Sequence, residues 1–167
     1  MRRLALLLPM VLAGAAWVAL AGALAGGRVE AGEGCAPKVP TEAARALDAV
    51  VRALKKADAA GVAALMEPGK TARLSIKLAS IKVDNPSATR EWVVKQLTDA
   101  YFSVVTYDSI LEDDKCTRGD EKRLVRGYRI RLKKDGSTTD ATLTVAIVCR
   151  PVDEKTTGWF LSQLKEE

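Results

Sequence analysis

Residues 122–150 read KRLVRGYRIRLKKDGSTTDATLTVAIVCR, and this stretch decides the fold because two apolar alternations within it support each other. Leu124, Tyr128, Ile130 and Leu132 alternate along its first half, and Ala141, Leu143, Val145, Ile147 and Cys149 along its second. Asp135-Gly136 between them is a two-residue hairpin signal, since both turn positions take positive φ. Closing there sets Tyr128 against Leu143, Ile130 against Ala141 and Leu124 against Ile147, so the apolar set shares one face. On the other face Arg131 meets Asp140 and Arg129 meets Thr142. A slip of one residue would turn the apolar set to water, so the register is tightly specified.

Downstream, Arg150 to Thr157 is a polar connection containing Pro151, and Gly158 to Leu164 reads as the final strand. Upstream, Phe102 to Tyr107 is dense in β-branched and aromatic residues, with Ile110-Leu111 extending it to the acidic turn Glu112-Asp113-Asp114. Arg118-Gly119-Asp120 matches a short adhesion tripeptide, a coincidence that a polar β-loop readily supplies.

The half before these strands is helical. Thr41 is placed to cap a helix whose Leu47, Val50, Val51 and Leu54 share a face, with Arg45, Asp48, Arg52, Lys55 and Lys56 mostly opposite. Asp58 reads as the cap of a short helix over Ala59 to Met66, ended by Glu67-Pro68-Gly69. Thr71 to Val83 is read as a strand with a bulge or break, because Ile81 and Val83 restart the alternation of Leu74, Ile76 and Leu78 out of phase. Asp84 to Ser87 then reads as a loop and helix start, followed by a helix over Ala88 to Tyr101 with Val93, Leu97, Ala100 and Tyr101 inward and Trp92 beside them.

Residues 1–31 read as a secretory signal peptide: Arg2 and Arg3 begin it, Leu4 to Leu24 is uncharged, and small residues end it, with cleavage expected after Ala31 in preference to Ala25. The alternative is an uncleaved N-terminal membrane anchor, as the run approaches the ~20 residues that span a bilayer. Residues 32–40 form a Gly/Pro linker and 41–167 a single domain. Export, to a periplasmic or extracellular place, permits a disulfide. Cys116 and Cys149 fall at the same end of the hairpin and are the expected pair, with Cys35-Cys116 the second choice.

Of the 167 residues, 48% are apolar, enough for one core, and the formal charge of +5 is partly carried by Arg2, Arg3 and Arg28 at the front end. Acids and bases are interspersed elsewhere, so nucleic acid is not an expected partner. The chain has no histidine, which removes Ser-His and Cys-His nucleophile pairs and the commonest zinc ligand. The cysteine spacing forms no zinc pattern, and no cofactor is expected.

Helices followed by a run of strands indicate an α+β fold, with about three N-terminal helices on a curved antiparallel sheet. The long first helix, the break at residues 56–65 (KADAAGVAAL), the third helix with Trp92 and the terminal Gly158-Trp159-Phe160-Leu161 resemble the cone-shaped, cystatin-like superfamily of nuclear transport factor 2-like and SnoaL-like proteins. The resemblance spans residues 41–164 and implies a cone closed by helices over the sheet. Members include ketosteroid isomerase, scytalone dehydratase, polyketide cyclases and non-catalytic binding domains, often dimeric through the sheet. None of the catalytic patterns matches here residue by residue.

Arg126 falls on the apolar face opposite Val145. It is the candidate anchor for an anionic ligand beside Tyr128, with Trp92 and Trp159 as candidate lining. The structural alternative is a pair with an acid such as Asp48 or Asp99. The expected function is therefore an exported, non-enzymatic domain binding a small ligand or a protein. An isomerase, dehydratase or cyclase would need a carboxylate and a tyrosine converging in the cone; Tyr107 and Asp108, neighbours on a strand, point to opposite faces. A third reading is an assembly domain that dimerises through the outer face of Val125, Gly127, Thr142, Thr144, Ala146 and Val148.

Overall fold

The computed structural model describes residue 36 and residues 38–69, 73–113 and 117–167, all within one compact unit, Ala31–Glu167. The signal-peptide or anchor segment, Cys35 and Cys116 lie outside the described residues. No helix among the described residues is long and apolar enough to cross a membrane.

The hairpin forms as its pattern dictates. Strands β5 (Arg123–Lys134) and β6 (Ser137–Pro151) pair with Tyr128 opposite Leu143, Ile130 opposite Ala141 and Leu124 opposite Ile147. Asp135 and Gly136 take φ of 50° and 78° in the turn. Leu124, Tyr128, Ile130, Leu132, Leu143, Val145 and Ile147 are buried together, while Arg131 and Asp140 bond at 2.7 Å outside.

Three helices cover that apolar face. In α1 (Thr41–Lys55), Leu47, Val50 and Leu54 enter the core. Thr41 is the first helical residue and not its cap, because Pro40 takes the cap position without a side-chain bond. Asp58 does cap α2 (Ala59–Ala64), accepting from the Gly61 amide at 2.7 Å. The third helix starts as α3 (Arg90–Lys95) behind Thr89 and continues through a π-helical turn, Gln96–Tyr101, that carries Leu97 and Tyr101 inward.

The segment with the broken alternation folds into two strands. Strand β1 (Leu74–Leu78) leads through a 3₁₀ turn, Ala79–Ile81, and the left-handed Lys82 (φ 58°) into antiparallel β2 (Val83–Ala88). Residues 84–87 are thus strand rather than loop. Pro86 is tolerated because β2 is the edge of the sheet, where a missing amide donor costs little.

Strands β3 (Val105–Glu112) and β7 (Thr157–Glu166) flank the hairpin, and short β4 (Arg118–Gly119) pairs beside the start of β5. The sheet runs β2-β1-β7-β6-β5-β3. It is mixed and not wholly antiparallel, since β1 pairs β7 in parallel, Ile76 level with Leu164. A parallel pair requires a long connection, and here residues 79–156 intervene. Cys149, level with Lys122 as the register requires, carries a free, half-buried thiol.

Candidate functional site

The feature that shapes one end of the concave face is a bulge in β7. Ile147 pairs with Leu161, but Ala146 pairs with Gln163, so Ser162 is the extra residue, and its hydroxyl donates to the Ala146 carbonyl at 3.1 Å. Strict alternation from Leu161 would point residues 163, 165 and 167 inward. The bulge reverses the phase and directs Leu164 and Glu166 into the core instead, with Glu166 opposite Leu143.

Glu166 is only 2% exposed, so its carboxylate needs partners. The Ser80 hydroxyl donates to Oε2 at 2.9 Å and the Tyr101 hydroxyl to the same oxygen at 3.2 Å. Tyr101 and Tyr107 hydroxyls lie 2.7 Å apart. Because the Tyr101 proton goes to Glu166, Tyr107 is the donor in that contact, and the chain of protons runs from Tyr107 through Tyr101 to the carboxylate. Ser80 is presented by the 3₁₀ turn, and the Lys134 ammonium at the end of β5 donates to the Ser80 carbonyl.

Burial pushes the Glu166 carboxyl above its ordinary value, against the hydroxyl bonds and the Lys134 charge, which favour the anion. Burial likewise pushes both phenols up, helped at each by the Glu166 charge. The proton of this network therefore belongs on the tyrosines, and the charge on the carboxylate.

This network borders a cavity of about 360 Å³ lined by Ala79, Ser80, Leu132, Lys134, Thr139 and Glu166, with Asp140, Ala141 and Glu167 at its sides. The cavity exists because the pairing with β6 ends at Glu167, whose backbone exchanges both hydrogen bonds with Thr142, while β6 continues toward the turn. A groove of about 550 Å³ between α2 and α3 and a cleft of about 380 Å³ beside Gly119 are not walled by any buried carboxylate.

The residues expected from sequence occupy other places. Arg126 lies on the concave face beside Tyr128, and its guanidinium is engaged: Nη1 donates to Glu112 Oε1 at 2.7 Å and Nε to Thr117 Oγ1 at 2.8 Å. Its acid partner is Glu112, not Asp48 or Asp99. Tyr128 is buried with its hydroxyl unpartnered among the described residues, and burial pushes it up to about 12 despite the neighbouring Arg126 charge. Trp92 and Trp159 each pack partly buried against the core. None of these four lines the cavity at Glu166. Tyr107 turns inward to Tyr101 while Asp108, the extra residue of a bulge in β3, faces Lys133 outside.

No protein-family model and no curated protein matches the chain. Solved structures do. One is a nuclear transport factor 2-like (NTF2-like) protein of unknown function from Pseudomonas putida KT2440, with TM-score 0.52 and 8% identity, covering 80% of this chain and 89% of that one. A substituted form of a protein named Rd1NTF2_05 superposes with TM-score 0.50 and 14% identity, covering 75% of this chain and 96% of that one.

The Glu166 shift predicts a pH dependence. Between 4.5 and its raised native value the folded chain holds more protons than the unfolded one, so this group makes stability fall as pH rises through that window. Glu166→Gln removes the effect, and urea denaturation across pH 4–7, roughly the carboxylate range, should find the wild type losing stability relative to the variant as pH increases. A constant or opposite difference would contradict the assignment. By its topology and these structural matches, the fold is NTF2-like.

Proposed function

We propose that this chain is an exported small-molecule-binding domain whose ligand enters the cavity between the Ala79–Ile81 turn and the open end of β6. The observation that carries the reading is the combination at that cavity of apolar wall, Leu132 and Ala141, with convergent polar groups, Ser80, Lys134 and the buried Glu166. Ligand sites have this composition, and about 300–1,000 Å³ is their usual size. A shifted buried carboxylate at the wall adds to the argument.

Binding is preferred to acid-base catalysis for a specific reason. An acid-base enzyme would need Glu166 and a tyrosine both to reach a substrate, yet Tyr101 is fully buried and neither it nor Tyr107 lines the cavity. The tyrosines here orient and stabilise the carboxylate. Arg126 in turn is occupied by Glu112 and Thr117, so an anionic ligand at that end would have to displace an ion pair.

A screen of small uncharged and charged fragments by amide NMR tests this reading. Hits should perturb residues 79–81, 132–134 and 139–141, and Thr139→Trp, which fills the cavity, should weaken them at least about tenfold, a loss of ~1.4 kcal/mol. Hits that gather instead around Arg126 and Tyr128 would return the site to the other end of the cone.

Export brings the chain to an oxidising compartment, and we infer a disulfide between Cys35 and Cys116. Two observations favour it over Cys116-Cys149: the Ala36 amide donates to the Thr117 carbonyl at 2.7 Å, which tethers the chain next to each of these two cysteines, and Cys149 is a free thiol. Non-reducing peptide mapping of the protein recovered outside the cytoplasm should find one linked Cys35-Cys116 peptide and unmodified Cys149. A Cys116-Cys149 peptide, or three free thiols, would refute the pairing.

A further inference from the structure

The charges around the cavity are unequal in a way that selects a ligand. Among the carboxylates at its wall, Asp140 is ion-paired with Arg131 at 2.7 Å, and Glu167 is ion-paired with Lys165. Glu166 has no ion pair among the described residues: its charge is met by neutral hydroxyls and the Ser80 amide, and the neighbouring Lys134 ammonium is committed to the Ser80 carbonyl. Both hydroxyl bonds fall on Oε2, and the Ser80 backbone amide is a further neutral donor to the carboxylate. A carboxylate 2% exposed whose neighbouring cation, Lys134, bonds elsewhere is costly to bury, and the cost falls when a second cation reaches it.

We propose, on the basis of the binding reading above, that the cavity takes an organic ammonium: a primary amine whose charged head pairs with the Glu166 carboxylate and whose short apolar body lies on Leu132, Ala79 and Ala141. Three features of the site fit this class. An ammonium supplies up to three donors, one for the Glu166 carboxylate and others for the cavity's remaining oxygens. The lining includes the aliphatic Leu132, Ala79 and Ala141, which suits a hydrocarbon body, and Lys134 is its one cationic side chain. A ligand carboxylate would also meet Glu166, Glu167 and Asp140, like charges that a buried site penalises.

Hexylamine, hexanol and hexanoate share a chain length and differ in head group, so they isolate the head. Titrated into the full chain and followed by amide NMR, hexylamine should perturb residues 79–81, 139–142 and 164–167 and bind at least about tenfold more tightly than hexanol, with hexanoate the weakest. Glu166→Gln should bring hexylamine to the level of hexanol. Lys134→Gln, which removes the competing cation, should tighten hexylamine, and Glu167→Gln should leave the amine preference in place. Hexanol or hexanoate binding there as tightly as hexylamine, or an amine preference that survives in Glu166→Gln of unchanged melting temperature, would overturn the amine inference and leave the binding reading standing. No binding of any of the three at these residues would overturn both.

Discussion

The pairing of Tyr128 with Leu143 is the constraint from which the remainder of the sheet takes its positions. It is set by the two-residue turn at Asp135-Gly136, where both residues hold positive φ, and it commits every second residue of the two longest strands to the core. Once β5 and β6 are fixed, β3 pairs on one side and β7 on the other, and β7 brings β1 with it. The helices then have one apolar surface to cover, and Leu47, Val50, Leu54, Val93 and Leu97 cover it. A one-residue slip would place Arg129 and Arg131 where Tyr128 and Ile130 now lie. Their burial without partners would cost several kcal/mol per charge, so competing registers are excluded by desolvation as well as by lost packing.

Strand β7 departs from that regularity at one residue, and the departure creates the chemistry. Ser162 bulges out, Leu164 and Glu166 turn inward, and a carboxylate arrives in the core at the place where the strand ends. The buried Tyr101, itself bonded to the partly buried Tyr107, and a serine meet it, and the unmatched length of β6 beyond it leaves the neighbouring cavity open. A buried, hydroxyl-bonded carboxylate contributes less to stability than an aliphatic residue of the same size would, because its desolvation offsets its bonds. A ligand that supplies the missing countercharge would give this arrangement a use.

The hairpin was legible because turn type, alternation and cross-strand charge all specify the same register at Asp135-Gly136 and Arg131-Asp140. The cap at Asp58 and the break after Leu78 were legible for similar local reasons. Strand β2 was not, since Asn85-Pro86 carries loop chemistry, and the edge position of β2 together with the bulge at Pro86-Ser87, both tertiary facts, admits it. The parallel pairing of β1 with β7 is likewise a long-range event that alternation alone does not report. Arg126 was rightly singled out as a charge on the apolar face, but its partner Glu112 comes from β3 through a register that only the folded sheet supplies. Glu166 could have been found: Leu161 and Leu164 are out of phase for a regular strand, and a bulge between them would have put the glutamate inside.

Glu166 is a buried carboxylate held by neutral donors and not by an ion pair among the described residues. Its side-chain carboxyl carbon, followed by ¹³C NMR as pH is varied in the free protein, measures this directly. The account predicts a titration midpoint above the ordinary 4.5, moving higher still in Tyr101→Phe, which removes a bond to the anion. A midpoint at or below 4.5, or one unmoved by that substitution, would contradict it.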